Sequence, residues 1–454
     1  MMTRLSRLVR LFMIALVLTF AAARPAAAQS VLRDSETELL FRDISKPLVL
    51  AAGLDPKSNK VVLLNDKEIN AFVAQGGGQA VFIYSGLLTA SDNVNQLQGV
   101  IAHELGHVAG GHIIRSGEGT RPAIGITVLS LLLGVAAIAA GAGEAGMGIM
   151  AAGQQAAMGS FFAFTRAQES SADLAGAKYM SIAGVSGKGS LEFFKKLQNQ
   201  EYRLAIYAKD SYDRTHPLSS ERIASLQELY KKDPAWDRPS DPALEARFQR
   251  VKAKLIGYID PKRAITLYPE SDQSVPAHYA RAYAYHLGAY RDKALQEADA
   301  LLATAPQDPF FLELKGQILL ESGKPLEALE PLRAAVKQAP DQPMIAAMLG
   351  HALIATEKPA NYAEAKAVLK TAVSRDNENP FAWYQLGIVY ENEGDTARAA
   401  LATAERNNLE GNPKLALASA KMAMRGIPKT DPYWIRAQDI AMVSEEQIRK
   451  DKKR

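Results

Sequence analysis

The strongest constraint on the fold is a recurrence in the second half of the chain. Pro309, Gly316, Gly323 and Ala328 return as Pro343, Gly350 and, after three extra residues at Pro359-Ala-Asn361, Ala365; they return again as Pro380, Gly387, Gly394 and Ala399. An earlier copy shows Ala282 and Ala294 at an offset of 34. A period of 34 with small residues at fixed positions and Pro at the edges predicts tetratricopeptide-type helix pairs, each burying its apolar face against its neighbours. The phase slips from Asn407, and Gly411 to Gly426 is expected as a further helix pair out of register. The array is expected over residues 263–442, with 443–454 as a short, basic, solvated tail. Solenoids of this kind present a concave groove to a protein partner.

Before the array, Ile101-Ala-His-Glu-Leu-Gly-His-Val108 sets His103, Glu104 and His107 in the HExxH pattern. Leu97, Val100 and Ile101 recur at helical spacing, so the motif sits in a part-buried helix. Positions i and i+4 share a helix face, and His103 and His107 can aim both imidazoles at one metal ion. Zinc binds imidazole nitrogen at about 2.0–2.1 Å and, in catalytic sites, keeps a position for water. Glu104 adjoins the first His and can reach that water as general base. His112 lies nine positions after His103, whereas the extended HExxHxxGxxH pattern needs about ten. Five residues past His107 is also roughly 140° round the helix. His112 is therefore expected to be structural or on the surface, unless the helix ends at Gly110-Gly111.

A third ligand is expected downstream. Glu169 and Asp173 are i and i+4, among Ala167, Ala172, Ala175 and Gly176, which are small enough for another helix to pack closely. A carboxylate from such a helix completes a His, His, Glu set, and Asp173 can hydrogen-bond the spare ring nitrogen of a ligand His.

Three ordered segments, HELGH, Glu169-Ser-Ser-Ala-Asp173 and Thr215-His-Pro-Leu-Ser-Ser-Glu-Arg-Ile223, with Ile69 to Leu88 upstream, resemble the zinc metallopeptidases related to the CAAX prenyl endopeptidase and the HtpX heat-shock protease. With the repeats, the resemblance extends to periplasmic members of that family. It implies one Zn2+ per chain on His103, His107 and Glu169, Glu104 as catalytic base, Asp173 supporting a ligand, and an HP segment on His216-Pro217 followed by Arg222. Two jobs stay open for His216: donating a hydrogen bond to the oxyanion of the tetrahedral intermediate, or occupying the fourth zinc position and holding the enzyme off. The resemblance also implies an endopeptidase acting on misfolded or stalled envelope proteins of the outer membrane, with the outer-membrane β-barrel assembly machinery as a further partner. The competing class is a chaperone or assembly factor whose main activity is binding.

The remaining segments place this site. Residues 1–28 carry Arg4, Arg7 and Arg10, an apolar run from Leu11 to Ala23, and Ala26-Ala-Ala28, a signal peptide cleaved after Ala28. The apolar run is too short to span a bilayer comfortably. These residues hold four Arg and no acid, which accounts for the whole net charge of +4 and leaves the rest neutral, against nucleic-acid binding. The chain has no Cys, hence neither disulfides nor a lipid-attachment thiol, which suits the periplasm. A helix is expected over 31–52 and strands over Val61–Leu64 and Ala80–Tyr84, with turns at Asn65-Asp66 and Gly76–Gly78. The Gly76 to Tyr84 region is expected to bind extended substrate by edge pairing.

Residues 123–142 are twenty positions without a charge, long enough to span a bilayer. A single crossing separates HELGH from Glu169 and destroys the site, so 123–160 is expected to be an apolar helical hairpin, lying over the active site or dipping into a membrane surface as a peripheral contact. Asp233 to Pro242, with three Pro in ten residues, reads as a linker, followed by a helix Ala243–Ile256 within a connecting segment, 233–262. The expected whole is mainly α with a small β element: a zincin-type protease domain over 29–232 followed by a tetratricopeptide-type α-solenoid.

Overall fold

The computed structural model describes residues 30–75, 79–139, 142–204, 216 and 220–452. The expected signal segment with its cleavage after Ala28, the Gly76–Gly78 turn and Pro217 lie outside the described residues.

The chain opens with β1 (Val31–Leu32), α1 (Ser35–Ala51), β2 (Asn59–Leu64), β3 (Ala71–Gln75), β4 (Gln79–Tyr84), α2 (Ser85–Ala90) and α3 (Val94–Ala109). Asp34 starts α1 by accepting the Thr37 amide, and Asn93 starts α3 by accepting that of Gln96, so each helix begins where a side chain satisfies an otherwise orphaned N–H. The sheet order is β1-β2-β4-β3, with β2 and β4 parallel and the outer pairs antiparallel. β4 is therefore paired on both sides, which corrects the expectation that residues up to Tyr84 accept an extended substrate. Among the described residues, the strand with an open side near the HExxH helix is β3, which the sequence conceals: five residues, two of them Ala, give no legible alternation.

α3 is buried without interruption from Val94 to Val108. Around it pack α1, α5 (Gly143–Ile182), α6 (Lys188–Leu204) and, more distantly, α7 (Ser220–Lys231). α4 (His112–Ala139) and the first half of α5 form the expected antiparallel hairpin. At 40 residues α5 is about 60 Å long, enough to run from the hairpin tip into the core, where Ala172, Ala177 and Met180 are buried. Two glycines let α3 and α5 meet closely. A Cβ on Gly106 would lie 2.6 Å from the Ala172 carbonyl, and one on Gly176 would lie 3.0 Å from the backbone of Ala102 and His103.

The helix after the expected linker, α8 (Pro242–Ile259), is part of both cores. Phe248, Val251 and Leu255 pack with Leu40, Phe41 and Ile44 of α1, while Ala253 and Ile256 pack with Ala264, Ala280 and Ala284 beyond it. Between these faces Arg250 reaches Glu36 and Asp308, Lys254 reaches Asp34, and the Tyr279 hydroxyl donates to Glu36 at 2.7 Å. The Arg250 guanidinium also lies 4.4 Å from the Phe311 ring centroid.

The repeats follow as α9 (Pro261–Leu267), α10 (Val275–Leu287), α11 (Arg291–Thr304), α12 (Pro309–Glu321), α13 (Pro325–Gln338), α14 (Pro343–Ala355), α15 (Pro359–Arg375), α16 (Pro380–Asn392), α17 (Thr396–Leu409), α18 (Pro413–Gly426) and α19 (Pro432–Asp451). Pro sits in the first turn of most of them, where its missing N–H has no partner to lose. Gly316 and Gly350 mark the tightest contacts within pairs: a Cβ there would meet Leu332 at 2.4 Å and Leu369 at 2.5 Å. The turn between paired helices needs one left-handed residue, supplied by Ala289 (φ 60°), Gly323 (φ 76°), Glu357 (φ 55°) and Gly394 (φ 76°). Gly411 is likewise such a turn, between α17 and α18, so 413–426 is a single helix packed between α17 and α19 rather than a helix pair of its own. The expected tail is helical to Asp451, with Ser444 fully buried. The array curls back to the opening strands, where Arg33 meets Asp376 at 2.9 Å and Lys60 meets Glu378 at 3.2 Å.

Candidate metal centre

The HExxH residues and the ExxxD residues face each other across the α3–α5 contact. His103 Nε2 and His107 Nε2 are 3.2 Å apart, as one helix turn allows. Glu169 places Oε2 3.4 Å from His103 Nε2 and Oε1 3.3 Å from His107 Nε2. His216 brings Nδ1 to 3.3 Å from His103 Nε2 and 3.3 Å from Glu169 Oε2. All four side chains are buried, and their ligand atoms lie within 4.8 Å of one another. Donors held about 2.0–2.1 Å from a tetrahedral ion are spaced about 3.3–3.4 Å from each other. The cluster has the dimensions of a four-donor metal site.

Two further observations fit a cation. Among the described residues, both Glu104 carboxylate oxygens are buried without a hydrogen-bond partner, and His216 Nε2 lies 3.4 Å from Oε1. A buried, unsatisfied carboxylate is costly to keep unless chemistry uses it. Among the described residues, the buried carboxylates Glu104, Glu169 and Asp173 face one buried guanidinium, Arg222, a formal −2 that a divalent ion would offset.

Without a cation, protons take over its role. Burial opposes charge on His103, but its bonds to Asp173 and Glu169 outweigh that and push it up to about 10. Burial would raise Glu169, yet His103, His107 and His216 hold it far below the usual carboxylate range. His107 is lowered by burial.

The surrounding groups fix the ligands. Asp173 Oδ1 accepts from His103 Nδ1 at 3.0 Å, leaving Nε2 facing the centre. Arg222 grips both Asp173 oxygens, at 2.7 and 2.9 Å, and approaches Glu169 Oε2 at 3.2 Å. α3 ends at Ala109, and Gly111 (φ 65°) turns the chain so that His112 comes back over the site. Its Nδ1 stops 2.9 Å from His107 Nδ1, outside the four converging groups. This contact steadies the His107 ring; the sequence left it open, its one clue being the Gly110-Gly111 pair. Another contact the sequence hid is His216 Nε2 to the Ala71 carbonyl at 3.3 Å, which links the cluster to the first residue of β3.

Comparison with known proteins agrees with this geometry. Residues 34–230 match the model of peptidase family M48. The chain is 26% identical over 362 residues to the Beta-barrel assembly-enhancing protease of Yersinia pestis, covering 77% of this chain and 71% of that one. It is 28% identical over 283 residues to the protein of the same name from Escherichia coli (strain K12), covering 60% of this chain and 56% of the relative. Metalloprotease LoiP of Escherichia coli (strain K12) is 29% identical over 174 residues, 37% of this chain and 61% of that one. Among solved structures, YrrB, a TPR protein with an unusual peptide-binding site, overlaps 39% of this chain and 92% of its own at 19% identity and a TM-score of 0.31.

Proposed function

Residues 34–230 form a peptidase family M48 domain, and from that premise we propose that the protein is a zinc-dependent endopeptidase of the bacterial periplasm. Its proposed substrates are misfolded or stalled outer-membrane proteins. The helical repeats bind protein, either the substrate or the outer-membrane assembly machinery. The observation that carries this reading is the set of four buried donors within 4.8 Å of one another beside the unsatisfied carboxylate of Glu104. The N-terminal run of Arg, apolar residues and Ala-Ala-Ala, the lack of Cys, and relatives named for β-barrel assembly support the compartment and the substrates. A family M48 domain with a buried His/Glu cluster implies a metal; the nitrogen-rich donor set supports zinc as the proposed ion.

His103, His107 and Glu169 would hold the ion, with Asp173 and Arg222 orienting His103 and Glu169. When bound, zinc supplies Lewis acidity, polarising the scissile carbonyl and acidifying the attacking water. Glu104 removes the proton of that water and hands it to the leaving amine. His216 would be a fourth ligand at rest: its Nδ1 stands 3.3 Å from both His103 Nε2 and Glu169 Oε2, and its Nε2 approaches Glu104 and Ala71. In that position it covers both the catalytic base and the start of β3, where an extended substrate can pair. Along the chain, the proposed division sets the protease at 29–232 and the repeats from 263, with α8 common to both.

Elemental analysis and degradation of an unfolded test protein check this reading. Wild type and Glu104→Gln should each hold one zinc per chain, and Glu104→Gln should lose about 10²–10⁴-fold in cleavage. Wild-type turnover in that variant would remove Glu104 from the mechanism.

A further inference from the structure

We propose that the tip of the α4–α5 hairpin inserts into a lipid bilayer, holding the metal centre at the membrane surface. The hairpin is built inside out for a helix pair in water. On α4, Val128, Leu129, Leu131, Leu132, Leu133 and Val135 are all at least half exposed, Leu132 to 64%, and they cover about 200° of the helix. The side turned to α5 is the small and polar one. A Cβ on Gly153 would lie 2.0 Å from Ser130 Cβ, and one on Gly134 would lie 2.4 Å from Met150 Cγ. Small residues in the seam and leucines outside are the arrangement that lipid selects, since hydrocarbon gives no reason to bury Leu and close backbone contact holds the helices together. On α5, Met147, Ile149 and Met158 are exposed as well. A protein partner would have to sheathe both helices; a bilayer does so by its nature.

The ends of the apolar zone fit an interface. Ser130 opposite Gly153 sets the antiparallel register, so Arg121, nine residues before Ser130, is level with Phe162, nine after Gly153. Phe161 and Phe162 are exposed there, and Arg166 follows one turn below. Aromatic rings and exposed Arg at one height suit the headgroup layer, where Arg meets anionic phosphates. The apolar stretch Thr120–Ala137 is 18 residues, about 27 Å of helix, close to the thickness of a hydrocarbon core of about 30 Å. Between Pro122 and Ser160 the only charged residue is Glu144, in the first turn of α5 at the far end of the hairpin. Glu169 lies seven residues, about 10 Å, beyond Phe162, so the metal centre comes to rest just outside the headgroups. Building on the peptidase reading above, this names the substrate class: polypeptide lying on, or leaving, a membrane surface.

The absence of Cys permits a test on the full chain that does not involve cleavage. Single Cys variants Leu132→Cys and, as control, Leu415→Cys on α18 carry an environment-sensitive fluorophore and meet vesicles of phosphatidylethanolamine and phosphatidylglycerol. The label at 132 should shift to the blue and be quenched by spin labels deep in the acyl chains, while the label at 415 stays in water. Because the readout is local to residue 132, membrane contact by the run Leu11–Ala23 does not mimic it. In co-sedimentation of unlabelled protein starting at Gln29, Leu129→Glu with Leu132→Glu should weaken binding at least about tenfold, and Arg121→Gln with Arg166→Gln should weaken it on anionic but not neutral vesicles. No shift at 132 with lipid overturns the proposal. So does a shift that appears without lipid and grows with protein concentration, which would assign the face to a second copy of the chain.

Discussion

Among the places where the molecule buries charge, the junction and the metal centre are balanced to different degrees. At the junction, Asp34 and Glu36 face Arg250 and Lys254, with Asp308 and the Tyr279 hydroxyl completing the set. At the metal centre, among the described residues, Glu104, Glu169 and Asp173 face Arg222 and the imidazoles of His103, His107 and His216. The first cluster sets three carboxylates against two cations, a formal −1 with the Tyr279 hydroxyl donating to Glu36, and joins α1, α8 and the first repeats. The second, among the described residues, carries a formal −2 and leaves Glu104 without a hydrogen bond. A nearly compensated cluster fastens a fold, whereas a less compensated one is a place for a cation and for chemistry.

This contrast can be broken from either side. Arg250→Met strips Glu36 of its guanidinium and should destabilise the protein by about 3–5 kcal/mol in denaturant unfolding, with metal content per folded chain unchanged. Metal loss at equal folding would tie the two clusters together. Asp173→Asn acts at the other cluster and should weaken metal affinity by about 10–100-fold, read by competition with a chelating dye. Gly106→Ala should act in the same direction, because its methyl group collides with the backbone of Ala172, three residues from Glu169; a variant with unchanged affinity would show that the α3–α5 approach does not set the ligand geometry.

Acid should separate the clusters by order of failure. Imidazole ligands bind metal only when neutral, so zinc should leave as pH falls and protons compete for the ring nitrogens. Asp34 goes the other way: burial would raise it, but Lys254 beside it prevails and its carboxyl is lowered. A lowered carboxyl contributes stability that is present above its unfolded pKa and lost only as pH falls through the still lower folded value. Helical signal should therefore outlast bound metal on titration. The smallest expected effect is in the repeats, where Ala289→Gly relieves a left-handed alanine and should add about 1 kcal/mol to stability.

Much of the site was legible because helical spacing is rigid. His103 and His107 at i and i+4, and Glu169 and Asp173 likewise, can face only one way once Gly106 and Gly176 bring the two helices together. His216 was placed by resemblance alone, since nothing in its own segment fixes its distance from α3. The strand β3 was missed because five residues carry too little periodicity, and with it went the correct open edge beside the site. The repeat period fixed the solenoid, yet Glu357 hid one of its turns: a left-handed position is readable only where glycine occupies it. The Pro-rich stretch before α8 read as a boundary, but Phe248 and Val251 belong to the core with Leu40. Pattern shows where a helix begins, not how many cores it serves.

The claim on which the account turns is that four donors hold one metal and that His216 is the removable one. Zinc content and degradation of an unfolded protein, measured side by side for wild type and His216→Ala, test it directly. The account predicts one zinc per chain in both and faster cleavage in His216→Ala. Zinc-free wild type, or a zinc-loaded His216→Ala without activity, would contradict it.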